Sequence, residues 1–194
     1  MNNVKTKVIF AFILSVYWQF AIAEGDEKVY LNPELIVDDY YSSLMDSGYT
    51  KLNEYLHPKE KMKIRNLLLP VLEEASKKGK KGYVQAIFGS NATIDSVRSL
   101  NDDEFAKAYF QSIQQTMLAK GVRFQFSKVK KIGSLNEGED LAHVLVRVNM
   151  NVNSVAVDSL DVISVKKFDN GWKLLLKADL EDMVYKIRQR LSTQ

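Results

Sequence analysis

Two carboxylates and two tyrosines are the side chains of this sequence whose types and settings could support proton-transfer chemistry. Asp38 precedes Tyr40 in a predicted helix, and Asp161 interrupts an otherwise apolar predicted strand. Tyr109 lies on the apolar face of another predicted helix. Removing and returning a proton requires a carboxylate in an apolar pocket and a hydrogen-bond donor opposite it. Asp38 or Asp161 would be the base, and Tyr40 or Tyr109 would be the donor.

The periodicity of the first helix favours a different interpretation of its carboxylates. The helix has an apolar stripe with a 3.6-residue period, formed by Val37, Tyr40, Tyr41 and Leu44. Asp39 is opposite this stripe and Asp38 is at its edge, so both are predicted to form a solvated acidic flank. For Asp161, a one-residue shift of the strand register moves the side chain from cavity to solvent. We therefore predict no catalytic residue and keep the base-and-donor arrangement as an alternative.

Other chemistries lack the residues they need. The sequence has no cysteine and two histidines, His57 and His143, so it offers neither thiol chemistry nor a structural zinc site. It also lacks a glycine-rich phosphate loop, a Gly-x-Ser-x-Gly elbow and a His-Glu-x-x-His pair. The sequence therefore predicts no metal site and no cofactor.

The first 23 residues have the pattern of a secretory signal peptide. Lys5 and Lys7 precede an apolar run, residues 8–23, that ends in the small-residue pattern Ala21-Ile22-Ala23. This run is short for a bilayer span, which needs roughly 20 apolar residues. We expect cleavage after Ala23, a single mature domain over residues 24–194, and a periplasmic or secreted location. An uncleaved helix that tethers the domain outside the membrane is the alternative.

The charge of the mature chain argues against a nucleic-acid partner. The 27 Lys and Arg residues against 24 Asp and Glu give a net charge of +3, which falls to +1 when Lys5 and Lys7 leave with the signal peptide. Nucleic-acid binding calls for a strongly basic domain. A local basic cluster nevertheless surrounds Gly79, formed by Lys77, Lys78, Lys80 and Lys81. It is predicted to be a solvated loop, with contact to anionic head groups as the alternative.

The mature chain has helical patterns as far as about Gly121. Asn32 and Pro33 predict a helix start and Gly48 its end, while Asn101 and Glu104 form a capping box for another helix. Between them, residues 58–72 are predicted to be helical with a kink or division at Pro70. A short strand is predicted over residues 83–88.

From Val122 onward the chain changes to strand patterns and then returns to a helix. Residues 142–152 alternate between apolar and polar side chains, and residues 122–132 form a strand whose parity switch predicts a bulge near Ser127. Residues 157–168 are predicted to form another strand, followed by a hairpin turn at Asp169-Asn170-Gly171 in which Gly171 adopts a positive φ. A C-terminal helix keeps one apolar stripe, formed by Leu180, Met183, Val184, Ile187 and Leu191.

This order predicts an α+β fold in which N-terminal helices pack on a curved, cone-like antiparallel sheet, with an extra C-terminal helix. Over residues 32–178 it resembles the nuclear transport factor 2-like superfamily of cystatin-like folds. The resemblance is carried by the capped helix over residues 102–119 that leads into strands, and by the hairpin 163–175, ISVKKFDNGWKLL. The resemblance implies one of the functions found in this superfamily. Its members include isomerases and dehydratases with a carboxylate, histidine or tyrosine inside the cone, carriers of apolar molecules, and periplasmic assembly subunits.

The inward-facing side chains favour binding over catalysis. The candidates for lining a pocket are apolar or aromatic: Tyr41, Phe105, Val146, Met150, Trp172 and Leu174. A void lined in this way favours an apolar guest, because a polar one would leave its hydrogen bonds unmade. We therefore expect an exported, non-enzymatic domain that binds a small apolar ligand or lipid, or a protein partner or second copy. An isomerase or dehydratase that uses a carboxylate and a tyrosine in the cone is the alternative.

Overall fold

The computed structural model describes residues 28–176 and 179–192. The predicted signal peptide, residues 1–23, lies outside the described residues. The helical part of the fold comprises α1 (Pro33–Ser47), a 3₁₀ turn (Gly48–Lys51), α2 (Leu52–Tyr55), α3 (Pro58–Lys77), α4 (Gly82–Phe88), α5 (Ile94–Arg98), α6 (Asp102–Ala119) and α7 (Asp179–Ser192). The strands are β1 (Phe124–Glu137), β2 (Leu141–Val152), β3 (Val155–Phe168) and β4 (Gly171–Leu174).

The predicted helix boundaries around α1 and α6 are confirmed. The side chain of Asn32 accepts a hydrogen bond from the backbone N–H of Glu34, and the N–H of Gly48 closes the last turn on Leu44. Asn101 and Glu104 form the reciprocal capping box at the start of α6. Each cap satisfies backbone groups that the helix itself leaves unpaired.

The strands form one antiparallel sheet in the order β1-β2-β3-β4. Its curvature comes in part from β1, whose register against β2 shifts between Phe126 and Lys128. Ser127 is therefore an extra residue, and the predicted bulge is confirmed. A second register shift, between Lys131 and Gly133, bends β1 again. The α+β architecture with a curved antiparallel sheet and a C-terminal helix agrees with the prediction.

The concave face of the sheet packs on α1, which contacts β1, β2 and β4. Ile36 and Val37 on α1 are fully buried, as are Ala142, Val144 and Val146 on β2. The outer side of β4 is covered by the same chain. Its Trp172 donates a backbone hydrogen bond to Tyr30, and its Leu174 carbonyl accepts one from His57.

Three local predictions need correction. Residues 83–88 belong to helix α4 and not to a strand, because their apolar side chains recur with helical spacing at Tyr83, Val84, Ile87 and Phe88 and pack against the core. Helix α3 is continuous through Pro70, so the predicted division there is wrong, whereas the alternative of a kink stays a prediction. In the β3–β4 turn, the positive φ of 52° falls on Asp169 and not on Gly171.

The apolar stripe of α7 packs mainly against another helix. Leu180, Val184 and Leu191 are buried, and α7 packs along α3. The helix therefore adds a layer beyond the sheet and helps to close a cavity described below.

Candidate functional site

A hydrogen bond between α1 and β3 places a carboxylate inside the cone. Asp161 is paired with Val146 in the β2–β3 register, and Val146 is fully buried on the concave face. Asp161 therefore points to the same side as the core and accepts a hydrogen bond of 3.1 Å from the hydroxyl of Tyr41. We call these residues the Tyr41–Asp161 pair. The register question that the sequence left open is decided in favour of the concave face.

A cavity of about 180 Å³, the inner cavity, lies at this pair. It is bounded by α1 and the 3₁₀ turn on one side and by β1, β2 and β3 on the other. Its lining consists of Tyr40, Tyr41, Leu44, Tyr49, Phe124, Phe126, Val148, Met150, Ser159 and Asp161. Most lining side chains are aromatic or aliphatic, but the tyrosine hydroxyls, Ser159 and Asp161 also face the cavity, so it presents both apolar and polar surface.

A larger cavity of about 360 Å³, the outer cavity, adjoins the inner one. The two share the lining residues Leu44, Tyr49, Phe124 and Phe126. The outer cavity is further lined by Gly48, Gln114, Met117, Leu118, Val122, Arg123 and Gln125. Its polar side chains come from the end of α6 and the start of β1, away from the Tyr41–Asp161 pair. Its volume alone lies within the range of roughly 300–1,000 Å³ typical of small-molecule sites.

At Gly48, where α1 ends, the backbone lies close to the side chain of Gln114 on α6. Gly48 has a φ of 61°, and a Cβ placed there would lie 2.6 Å from Oε1 of Gln114. The same Gln114 oxygen accepts a hydrogen bond of 2.7 Å from the backbone N–H of Tyr49. This contact fixes the 3₁₀ turn, and with it the ring of Tyr49 that lines both cavities.

A third space of about 220 Å³, the rear cavity, lies on the other side of Tyr40. Its lining is Tyr40, Leu52, Leu56, Tyr109, Phe110, Ile163, Leu174, Leu175, Leu176 and Leu180. Leu180 brings the start of α7 into this wall. The hydroxyl of Tyr109 lies 3.9 Å from Sδ of Met183 on α7.

Burial keeps the tyrosines of the cone protonated. It raises the pKa of Tyr41 well above the usual range for a phenol, and the neighbouring Asp161 carboxylate adds to this effect. Burial likewise raises the pKa of Tyr40, with further contributions from Tyr49 and Asp161. Both hydroxyls therefore remain hydrogen-bond donors at every physiological pH.

The structure separates the candidate base-and-donor residues. Asp38 is exposed, as the helical periodicity predicted, and its carboxylate lies 2.8 Å from Nζ of Lys131 in a surface ion pair. Tyr40 lines the inner cavity with Asp161, whereas Tyr109 lines the rear cavity. The donor that contacts Asp161 is Tyr41, which the sequence analysis had placed only among the pocket-lining residues.

The pocket-lining candidates divide in a similar way. Tyr41 and Met150 line the inner cavity, and Leu174 lines the rear cavity. Phe105 and Val146 lie in the core without exposed surface. Trp172 is buried at the start of β4, where the ammonium of Lys167 lies 5.6 Å from its ring centre.

A second cluster of tyrosines around Asp39 was missed by sequence reasoning. The hydroxyls of Tyr30 and Tyr55 both donate to the Asp39 carboxylate, and Lys28 is paired with it at 2.7 Å. Asp39 is therefore not a simple solvated flank, because residues from before and after α1 converge on it. The signal that could have found it is the run Lys28-Val29-Tyr30, which brings a cation and an aromatic donor close to the helix start.

The described ranges contain neither a metal centre nor a bilayer-spanning helix. Within residues 28–176 and 179–192, no group of three or more His, Asp or Glu side chains could hold a metal ion. No helix in these ranges combines the length and apolar character needed to cross a membrane.

Fold and site together define an α+β protein with an aromatic-lined cone that holds one tyrosine–carboxylate pair. No protein-family profile matches the sequence, and no curated protein shows significant similarity to it.

Proposed function

We propose that this protein is an exported, non-enzymatic carrier that binds a small apolar ligand in the inner and outer cavities. The observation that supports this most directly is the pair of adjoining cavities between α1 and the concave face of the sheet, lined largely by aromatic and aliphatic side chains. Burial of apolar ligand surface against such a lining is favourable at about 25 cal/mol per Å².

The few polar groups would orient the ligand. Asp161 offers a hydrogen-bond acceptor at the inner end, while Gln114 and Arg123 lie at the outer end. A ligand with an apolar body and a hydroxyl or amine at one end could donate to the carboxylate and leave its body against the aromatic rings. Cleavage after Ala23 would remove none of the described residues that line the two cavities.

Titration with a neutral apolar dye, phenylnaphthylamine, tests the carrier. We expect saturable fluorescence enhancement with the purified mature protein. Met150→Trp, which fills the inner cavity, should weaken dye binding at least about tenfold, because the added ring occupies the space that the dye needs. Val162→Trp adds a similar ring on the exposed convex face, where Val162 is 51% exposed, and should bind the dye like the parent.

Two results would contradict the proposed carrier function. One is equal dye binding by Met150→Trp and Val162→Trp, which would place the dye elsewhere. The other is native mass spectrometry of protein from its own source that yields a stoichiometric complex with another protein and no small ligand, which would favour the protein-partner alternative.

The Tyr41–Asp161 pair supports a second candidate, an isomerase or dehydratase. In an isomerisation, Asp161 would take a proton from the carbon between the substrate carbonyl and the double bond and return it to the γ-carbon. Tyr40, which stays protonated in the same cavity, would donate a hydrogen bond to the oxyanion that forms between these two steps. Tyr41 would hold the carboxylate in place. A β,γ-unsaturated cyclic ketone is a suitable probe, because its conversion to the conjugated isomer is easily followed by absorbance.

For the enzyme, Asp161→Asn should lower the conversion rate by about 10²-fold or more. Asp38→Asn changes a surface carboxylate on α1 and should leave the rate unchanged. Absence of conversion by the parent protein, or equal rates in both variants, would exclude this chemistry for the probe.

A further inference from the structure

The parallel alignment of α3 and α7 brings together two basic segments that are distant in the sequence. Near the starts of the two helices, Lys63 is paired with Glu181 at 2.9 Å. Near their ends, Nζ of Lys78 donates a hydrogen bond of 2.8 Å to the carbonyl of Leu191. The helices therefore run in the same direction, and the end of α7 lies beside the lysine-rich loop that follows α3.

Charge is segregated along α7 as a result. Its first half carries Glu181 and Asp182, and its second half carries Lys186, Arg188 and Arg190. The C-terminal half and the loop together form what we call the basic end, consisting of Lys77, Lys78, Lys80, Lys81, Lys186, Arg188 and Arg190. The four lysines around Gly79 form a cluster that can be recognised in the sequence. Their proximity to the three basic residues of α7 depends on the fold and could not be predicted.

Little negative charge offsets the basic end. Glu74 is paired with Lys78 at 2.9 Å. The hydrogen bond from Lys78 lowers the pKa of the Glu74 carboxyl, and Arg188 lies close enough to contribute to this shift. Among the described residues, no carboxylate lies within 4.0 Å of the charged nitrogens of Lys77, Lys81, Lys186 or Arg190. Each of these four side chains is exposed.

The shape of the basic end suits small anionic groups on a broad surface. An open depression of about 570 Å³ is lined by Lys186, Gln189, Arg190 and Ser192. Lys78, in the loop that contains Gly79, reaches the carbonyl of Leu191 at the same end of α7. Such cations can each reach a different phosphate, which is how polybasic surfaces engage anionic lipid head groups.

We propose that the basic end docks this protein onto an anionic phospholipid membrane. A membrane is favoured over nucleic acid because the mature chain is nearly neutral, so attraction is confined to one end of the molecule and would orient it on a flat surface. Each Lys or Arg close to an anionic bilayer strengthens binding by roughly fivefold. This surface is separate from the inner and outer cavities, so the proposal stands or fails independently of the carrier.

Vesicle co-sedimentation tests the docking. The mature protein is mixed with vesicles of phosphatidylcholine alone or of phosphatidylcholine with about one quarter phosphatidylglycerol, a fraction that gives a substantial negative surface potential. The basic-end variant carries K77Q, K81Q, K186Q and R190Q. The matched control carries K51Q, K107Q, K120Q and K128Q, which removes the same charge from exposed lysines elsewhere. Circular dichroism checks that both variants are folded.

We expect the parent protein to bind anionic vesicles but not neutral ones, and to dissociate as salt is raised because exposed charges are screened. The basic-end variant should lose affinity by about 600-fold, taking fivefold for each of its four cations, and the control should lose much less. If the four-site variant does not fold, the loop variant K77Q/K81Q should lose about 20-fold, taking the same fivefold for each lysine.

Several outcomes would overturn the proposal. They are equal binding to neutral and anionic vesicles, equal losses in the basic-end and control variants, and tighter binding to a short DNA duplex than to anionic vesicles. Binding of the apolar dye is measured in parallel, so that loss of docking and loss of the proposed ligand site are distinguished.

Discussion

The hydroxyl of Tyr41 donates a hydrogen bond of 3.1 Å to Oδ2 of Asp161 and so links α1 to β3 across 120 residues of sequence. Tyr41 is 3% exposed, so its hydroxyl has little access to water as an alternative partner. A buried donor that loses its partner costs more than the bond itself contributes. The bond therefore stabilises the helix-to-sheet packing and orients the carboxylate in the inner cavity.

Tyr41→Phe should lower the free energy of unfolding by about 1 kcal/mol, because it removes a hydrogen bond to a charged, partly buried acceptor. Urea denaturation of Tyr41→Phe, Asp161→Asn and the double variant gives the coupling between the two residues. Tyr185→Phe is the control, since Tyr185 is 61% exposed and its loss should change stability by less than about 0.5 kcal/mol. Strict additivity of the two single substitutions would contradict an interaction between Tyr41 and Asp161.

Stability at low pH should depend on Asp39. Burial alone raises the pKa of the Asp39 carboxyl, but hydrogen bonds from Lys28, Tyr30 and Tyr55 outweigh it and lower the pKa below its usual range. A carboxyl with a lowered folded-state pKa contributes stability above its unfolded pKa of about 3.9, and this contribution is lost as pH falls through the folded-state pKa.

Asp39→Asn should therefore be less stable than the parent near neutral pH, and the difference should shrink below about pH 4. Thermal unfolding followed by circular dichroism over a pH series measures this. Asp46→Asn, an exposed change on the same helix, serves as the reference. A stability difference for Asp39→Asn that is constant across the series would be inconsistent with this role.

Gly171→Ala should destabilise the fold by about 1 kcal/mol through crowding rather than through backbone strain. A Cβ at Gly171 would lie 3.2 Å from the backbone nitrogen of Tyr30 and from Cγ1 of Val29, next to the hydrogen bond between Trp172 and Tyr30. Gly82→Ala meets no heavy atom within 4 Å and lies in helix α4, so it should be neutral or stabilising. Chemical denaturation of both variants provides the comparison, and equal effects would contradict the close approach.

Removing the cap of α6 should also weaken the fold. Asn101→Ala deletes the acceptor for the backbone N–H of Glu104 and should cost about 1 kcal/mol. Asn91→Ala changes an exposed asparagine in the turn before α5 and should have little effect. The midpoints of urea unfolding test this prediction, which fails if the two variants are indistinguishable.

Local patterns were sufficient to predict much of this fold. Asn32 and Asn101 were identified as helix caps from residues within one turn, and Ser127 as a bulge from the parity of its own strand. These features depend on nearest neighbours in the chain. Residues 83–88 were assigned to a strand because a six-residue apolar segment is too short for its spacing to separate strand from helix.

The site was less predictable because it depends on contacts between distant segments. Asp161 could be named from its position in an apolar strand, but its face depended on pairing with β2. Its partner Tyr41 was identified only as a pocket-lining residue on the apolar stripe of α1. Asp39 was assigned to solvent because a helical wheel contains no information about Tyr30 and Tyr55, which approach it from outside the helix.

The covering of β4 has a consequence for the behaviour of the protein at high concentration. Open strand borders allow other chains to add strands, which is a common route to ordered aggregates. At β4, Tyr30 and His57 already occupy the outward backbone groups of Trp172 and Leu174. Within the described sheet, two borders remain open to a foreign strand. One is β1, where Lys128 and Lys130 would repel a second copy of the same strand, and the other is the first part of β3, because β4 pairs only with residues 165–168.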